Sequence, residues 1–159
     1  MHYRTTNPLQ MLGIVLAFMF TSGQASAEQR TATTIPTTEL IQPAELASIL
    51  GTASARKPVL LHVGFRKLYS QSHIPGSDYV GPTSDAAGLQ LLNNRVAKLG
   101  KDTDIVIYCG CCPWSHCPNL GAAYEALHKQ GFTHVKTLYI EHNFGDDWVS
   151  HGYPSTKGE

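Results

Sequence analysis

Two unbroken apolar runs frame the chain. Val59-Leu60-Leu61-His62-Val63 and Ile105-Val106-Ile107-Tyr108 are apolar at successive rather than alternate positions. Runs of this kind mark strands buried on both faces, as in a parallel sheet. Residues 134–140 (His134-Val135-Lys136-Thr137-Leu138-Tyr139-Ile140) read as a further strand. Between the strands the apolar period lengthens to that of a helix. The first helix spans 43–50, with Pro43 at its first position and Gly51 as its stop. The second spans 85–99: Leu89, Leu92, Val96 and Leu99 share one face, Ser84 stands as its cap, and Gly100 stops it. The third spans 120–129 and ends at Gly131, while 146–151 predicts a last helical turn or two. Pro75-Gly76 marks a turn. The alternation predicts one α/β domain, with a central, mostly parallel sheet flanked by helices on both faces. There is no internal repeat and no sign of a second domain.

The pattern at the amino end is different. His2 and Arg4 precede the apolar stretch from Met11 to Phe20, and Ala25-Ser26-Ala27 follows. That order predicts a secretory signal peptide over 1–27, cleaved after Ala27; an uncleaved anchor is the alternative. Residues 28–39 read as a flexible polar lead-in and 40–157 as the domain. The mature protein is then exported, to the periplasm in a Gram-negative cell and otherwise outside the cell, with no membrane attachment after cleavage. Disulfides persist in such compartments. The chain has 159 residues and no net charge, with 42% of residues hydrophobic and 15% charged. The charge balance offers no basic surface to a nucleic acid.

All four cysteines lie in Cys109-Gly110-Cys111-Cys112-Pro113-Trp114-Ser115-His116-Cys117-Pro118-Asn119. The segment leaves the strand 105–108 and enters a helix. Ligands bind at such strand ends, and a helix N-terminus favours a thiolate. Thiol–disulfide exchange is one chemistry on offer, through Cys109 with Cys112 or Cys112 with Cys117. A bridge between Cys111 and Cys112 would strain the peptide between them. Bridges that merely staple the loop are another reading. A third is a site for soft metal such as zinc or copper, drawing on Cys109, Cys111 or Cys112, Cys117 and His116; no other cofactor is expected.

A wider pattern carries a resemblance. It runs from Val59–Val63 through Tyr69-x3-His73-Ile74-Pro75-Gly76 to Cys109 and the Ala122-Ala123 pair. It continues through Gly131-Phe132-x2-Val135-x2-Leu138 and Trp148-x3-Gly152-Tyr153-Pro154. Over about Leu40 to Pro154 the chain resembles a single rhodanese-like domain. The resemblance implies sulfur transfer. Cys109 would take sulfane sulfur from a small donor, such as thiosulfate, and pass it to a thiol acceptor. Cys111, Cys112 or Cys117 would serve as a resolving thiol, or the loop would serve a redox partner protein. His116 would add charge or shuttle a proton, or be an exposed loop residue. Trp114 would wall the site or pack the loop down. His62 would face the loop or be a bonded core residue. The loop is longer than is usual in that family. It has no Arg or Lys, and His62-Val63-Gly64 stands where Asp-Val-Arg is common. Phosphatase chemistry, known in relatives of the fold, needs an Arg six residues after the cysteine. Ser115, Cys117 and Pro118 stand at those positions, so that chemistry is excluded.

Overall fold

The computed structural model describes residues 1–2 and 35–158. Except for residues 1–2, the segment expected as a signal peptide, with most of the expected lead-in, lies outside the described residues. Five parallel strands form one sheet in the order β1-β5-β4-β2-β3. They are β1 (Leu40–Ile41), β2 (Val59–His62), β3 (Asp78–Tyr79), β4 (Ile105–Tyr108) and β5 (Val135–Leu138). The helices are α1 (Pro43–Gly51), α2 (Arg66–Gln71), α3 (Ala86–Val96) and α4 (Pro118–Lys129). No helix among the described residues is long and apolar enough to cross a membrane.

The sheet separates two apolar layers. Leu61, Val63, Ile105, Ile107 and Cys109 point to one side and pack with Leu92 and Val96 of α3 and Leu120, Ala123 and Leu127 of α4. Leu60, Val106, Tyr108 and Leu138 point to the other, against Leu46 of α1, Ile74, Phe144 and Trp148. With both faces covered, β2 and β4 have no solvent side, which is why their sequences do not alternate. Tyr108 keeps its hydroxyl in this layer by bonding: it accepts from Ile74 N at 3.1 Å and lies 2.6 Å from Ser77 Oγ. Burial holds the Tyr108 phenol well above its ordinary range.

Several boundaries differ from the sequence pattern. Ile35, within the stretch read as a lead-in, is buried in the first layer, so the packed domain begins before residue 40. β1 and β3 have two residues each and show no period of their own. Helix α4 starts earlier, at Pro118, because a proline fits the first turn of a helix. The expected last helical turn is a π-helical turn over Gly145–Val149. Helix α3 runs Ala86–Val96 rather than to Leu99, and Ser84 is not its cap: the Asp85 carboxylate accepts from Gly88 N at 2.9 Å. Replacing Asp85 with Ala should therefore cost about 1 kcal/mol, read as a lower urea midpoint at an unchanged slope. Replacing Ser84 with Ala should move the midpoint less.

Candidate active site

The four thiols cluster at the carboxyl end of the central strand. Cys109 is the first residue after β4, and Gly110 turns the chain. Its φ of +86° lies in the left-handed region, and a Cβ there would sit 2.6 Å from Phe144 Cβ. Phe144 N donates to Gly110 O at 3.1 Å, which pins the turn to the segment after β5. The turn folds Cys111 back over Cys109, with their sulfurs 3.2 Å apart. Cys112 Sγ lies 3.3 Å from Cys111 Sγ. Trp114 N donates to Ile140 O at 2.8 Å, a one-turn helix follows over Trp114–His116, and Cys117 becomes the residue that opens α4. This return brings Cys117 Sγ into one group with those of Cys109 and Cys111, all within 4.8 Å of one another.

All four cysteines are free thiols. Cys109 and Cys117 are buried, and Cys111 and Cys112 are half-buried. The shortest sulfur pairs are Cys109 with Cys111 and Cys111 with Cys112, while spacing suggested Cys109 with Cys112 or Cys112 with Cys117. Cys109 meets Cys111 instead of Cys112, because Gly110 makes a tight turn that an extended loop would lack. Cys112 and His116, counted among the metal donors from the sequence, are outside the group of three sulfurs. His116 is exposed, with Nδ1 2.9 Å from Ser115 Oγ. Trp114 is half-buried and packs against the core with its ring tilted towards Tyr139.

The charge within the cluster centres on Cys111. Its sulfur accepts from the Cys109 thiol and from its other thiol neighbours, which lowers its pKa far below the ordinary thiol value. The same bond to Cys111, with burial, holds the Cys109 thiol up. Bonds to Cys109 and Cys111 raise Cys117, and burial raises Cys112.

Three supporting residues escaped the sequence pattern. Asn119 is buried, and its side-chain amide donates to Cys109 Sγ at 3.7 Å while its Oδ1 accepts from Ser84 N. Gly64 leaves room for the thiol: a Cβ there would lie 2.6 Å from Cys109 Sγ. Phe144 backs the turn at Gly110. Of the three only Asn119 stood within the cysteine segment, and nothing in the spacing marked its role.

A cleft of about 560 Å³ opens over Cys109, Gly110 and Cys111. Its other walls include His62, Leu68, Asn143, Phe144 and Val149, and among the described residues no Lys or Arg lines it. His142, next to Asn143 in the chain, pairs with Asp147 at 3.2 Å.

His62 lines the cleft and is buried in the core, without the bond at Nδ1 that a bonded core histidine would make among the described residues. It is 2% exposed, its ring lies among those of Tyr69, Tyr79 and Tyr108, and its Nδ1 has no partner. Burial lowers its pKa from 6.5 to about 4. The unfolded chain therefore takes up a proton near pH 6.5 that the native state refuses until about pH 4. Stability should fall by up to about 3 kcal/mol as pH drops through that window, and be insensitive to His62 above it. Urea unfolding across pH 4 to 7 checks this: His62→Phe should flatten the profile relative to wild type.

The model of the rhodanese-like domain family matches residues 42–139. The chain belongs to the rhodanese-like domain family. Solved rhodanese-like structures share its fold. The rhodanese-like domain of the Alr3790 protein from Anabaena sp. is 22% identical, with a TM-score of 0.55 over 75% of this chain and 79% of that one. The BH2092 protein from Bacillus halodurans is 18% identical, with a TM-score of 0.57 over 74% and 76% of the two chains. An anaerobic ergothioneine biosynthesis enzyme from Chlorobium limicola, solved with trimethyl histidine, is 18% identical. Its TM-score is 0.54 over 74% of this chain and 28% of that one. Among curated proteins none matches the chain. A rhodanese-like domain that carries four thiols at its strand end supports a sulfur-related function.

Proposed function

We propose that the protein is an exported sulfurtransferase that forms a persulfide on Cys109 and resolves it with Cys111. The observation that carries this reading is the 3.2 Å approach of the two sulfurs on the floor of the cleft. At that distance a proton passes directly between them. The Cys109 sulfur attacks the outer sulfur of a donor R–S–SH, and its proton moves to the Cys111 thiolate. A bond forms between Cys109 and the outer sulfur, the donor S–S bond breaks, and R–S⁻ leaves after taking that proton back as R–SH. Cys109–S–SH remains beside a Cys111 thiolate. An external thiolate that attacks the outer sulfur carries it away as a new persulfide and frees Cys109. In the absence of an acceptor, Cys111 attacks Cys109 Sγ, closing a Cys109–Cys111 disulfide and expelling HS⁻. A dithiol reductant then reopens the disulfide.

The cleft supports a particular donor class. It offers apolar walls at Leu68, Phe144 and Val149, a neutral His62 and no cationic side chain. That lining suits a persulfide or polysulfide better than the thiosulfate dianion, which wants charge-assisted donors. The Asn119 amide steadies the sulfur of Cys109 throughout.

The test is a single turnover of reduced protein with one equivalent of a small organic persulfide, whose leaving group is a thiol and not sulfide, and no other acceptor. Wild type should release sulfide as the Cys109–Cys111 disulfide forms. Cys111→Ser should hold the persulfide and release at least about tenfold less sulfide in the same time. Equal release by the two proteins would refute the resolving role of Cys111.

A further inference from the structure

We infer that Cys109, Cys111 and Cys117 form a three-coordinate thiolate site for a single monovalent copper ion. The three sulfurs lie within 4.8 Å of one another on one side of the strand end. A metal–sulfur bond of about 2.3 Å places the sulfurs of a trigonal site about 4.0 Å apart. The 3.2 Å separation of Cys109 and Cys111 need widen by less than about 1 Å to reach that spacing. Ion and thiols balance without any redox step: Cu⁺ enters and the thiols release their protons.

The donor set decides between metals. All three donors are soft sulfur, with no carboxylate in the group, which excludes hard cations. Structural zinc is almost always tetrahedral and needs a fourth ligand. Cys112 touches Cys111 and Cys117 from outside the group whose sulfurs surround one point, and the His116 ring is exposed beside Ser115. Monovalent copper is the soft ion left for three thiolates in a largely buried setting.

The surroundings fit a bound ion as well. Gly64 carries no side chain to fill the space beside Cys109 Sγ. The Asn119 amide supplies an outer hydrogen bond to the same sulfur, the kind of contact that orients a ligand. Cys117 opens the twelve-residue helix α4, so the positive end of that helix faces the anionic site. A copper ion here would occupy the sulfur of Cys109. Metal binding does not depend on persulfide chemistry, because the three thiolates bind whether or not Cys109 ever carries sulfur.

The experiment titrates the reduced full chain anaerobically with Cu(I) alone, against a coloured Cu(I) chelator. One copper per chain should be retained by wild type and by Cys112→Ser. Cys117→Ser and Cys111→Ser should each bind at least about tenfold more weakly. Cys111 is half-buried, so its variant tests the site even if Cys117→Ser fails to fold. X-ray absorption should show three sulfur neighbours at about 2.3 Å and no nitrogen. The inference is overturned by loss of all copper to the chelator, by a nitrogen or a fourth sulfur in the shell, or by Cys112→Ser weakening binding as much as Cys111→Ser.

Discussion

Cys109→Ser should lower sulfane-sulfur transfer from polysulfide to a thiol acceptor by at least about a hundredfold, which corresponds to about 2.7 kcal/mol of transition-state stabilisation. A serine hydroxyl does not take up sulfane sulfur as a thiolate does, and none of the other loop thiols ends the central strand. The native packing should survive the change. The oxygen replaces a buried sulfur of similar shape, and the Asn119 amide remains as a donor to it. The thermal midpoint should therefore move little while turnover disappears. Steady-state transfer assays and a melting curve on the same preparation separate the two effects. Turnover close to wild type would remove Cys109 from the reaction.

The largest expected loss of stability is at Trp148. Trp148→Ala should cost about 3 to 5 kcal/mol, the usual range for emptying a fully buried aromatic site. The midpoint of thermal unfolding should drop by more than about 10 °C. The indole is wholly buried, and it stacks on Phe144 with ring centroids 5.9 Å apart. It meets the Tyr153 ring edge-on, and its N–H donates to Pro154 O at 2.9 Å. The loss should reach the cysteine loop, because Phe144 backs the turn at Gly110 through its own N–H. Alkylation of Cys109 in native protein should accordingly be faster in the variant. Trp114→Ala, which removes a half-buried ring from the loop itself, should cost less than Trp148→Ala. Equal losses would mean that the loop is held mainly by its own tryptophan.

The frame of the fold was legible because it rests on residues buried from both sides. Val59–His62 and Ile105–Tyr108 lie in the middle of the sheet, and unbroken apolar character is all such strands can show. The two-residue edge strands at Leu40–Ile41 and Asp78–Tyr79 are too short to carry a period. They exist because the sheet beside them is already formed. Trp148, which the sequence shows only as part of a spaced motif, is core.

Within the site, legibility stopped where contacts depend on backbone conformation or on residues distant in sequence. Spacing offered Cys109 with Cys112 or Cys112 with Cys117, whereas the positive φ of Gly110 brings Cys111 closest to Cys109. That φ is held by Phe144, which lies beyond the next strand. Gly64 matters only through the sulfur that approaches it from another strand. Asn119 stood in the loop as written, yet its role appears only once α4 turns its first residues towards Cys109. His62 left two readings open, and the residue lies at once in the aromatic layer and under the cleft, with Nδ1 unbonded among the described residues.

The most direct test of the central claim locates the sulfur. Reduced protein is treated with one equivalent of inorganic polysulfide, the free thiols and persulfides are alkylated, and the loop peptide is fragmented in a mass spectrometer. The account predicts one extra sulfur on Cys109 in the Cys111→Ser variant, and a Cys109–Cys111 disulfide as the end product in wild type. An extra sulfur on Cys112 or Cys117, or a Cys112–Cys117 disulfide, would contradict it.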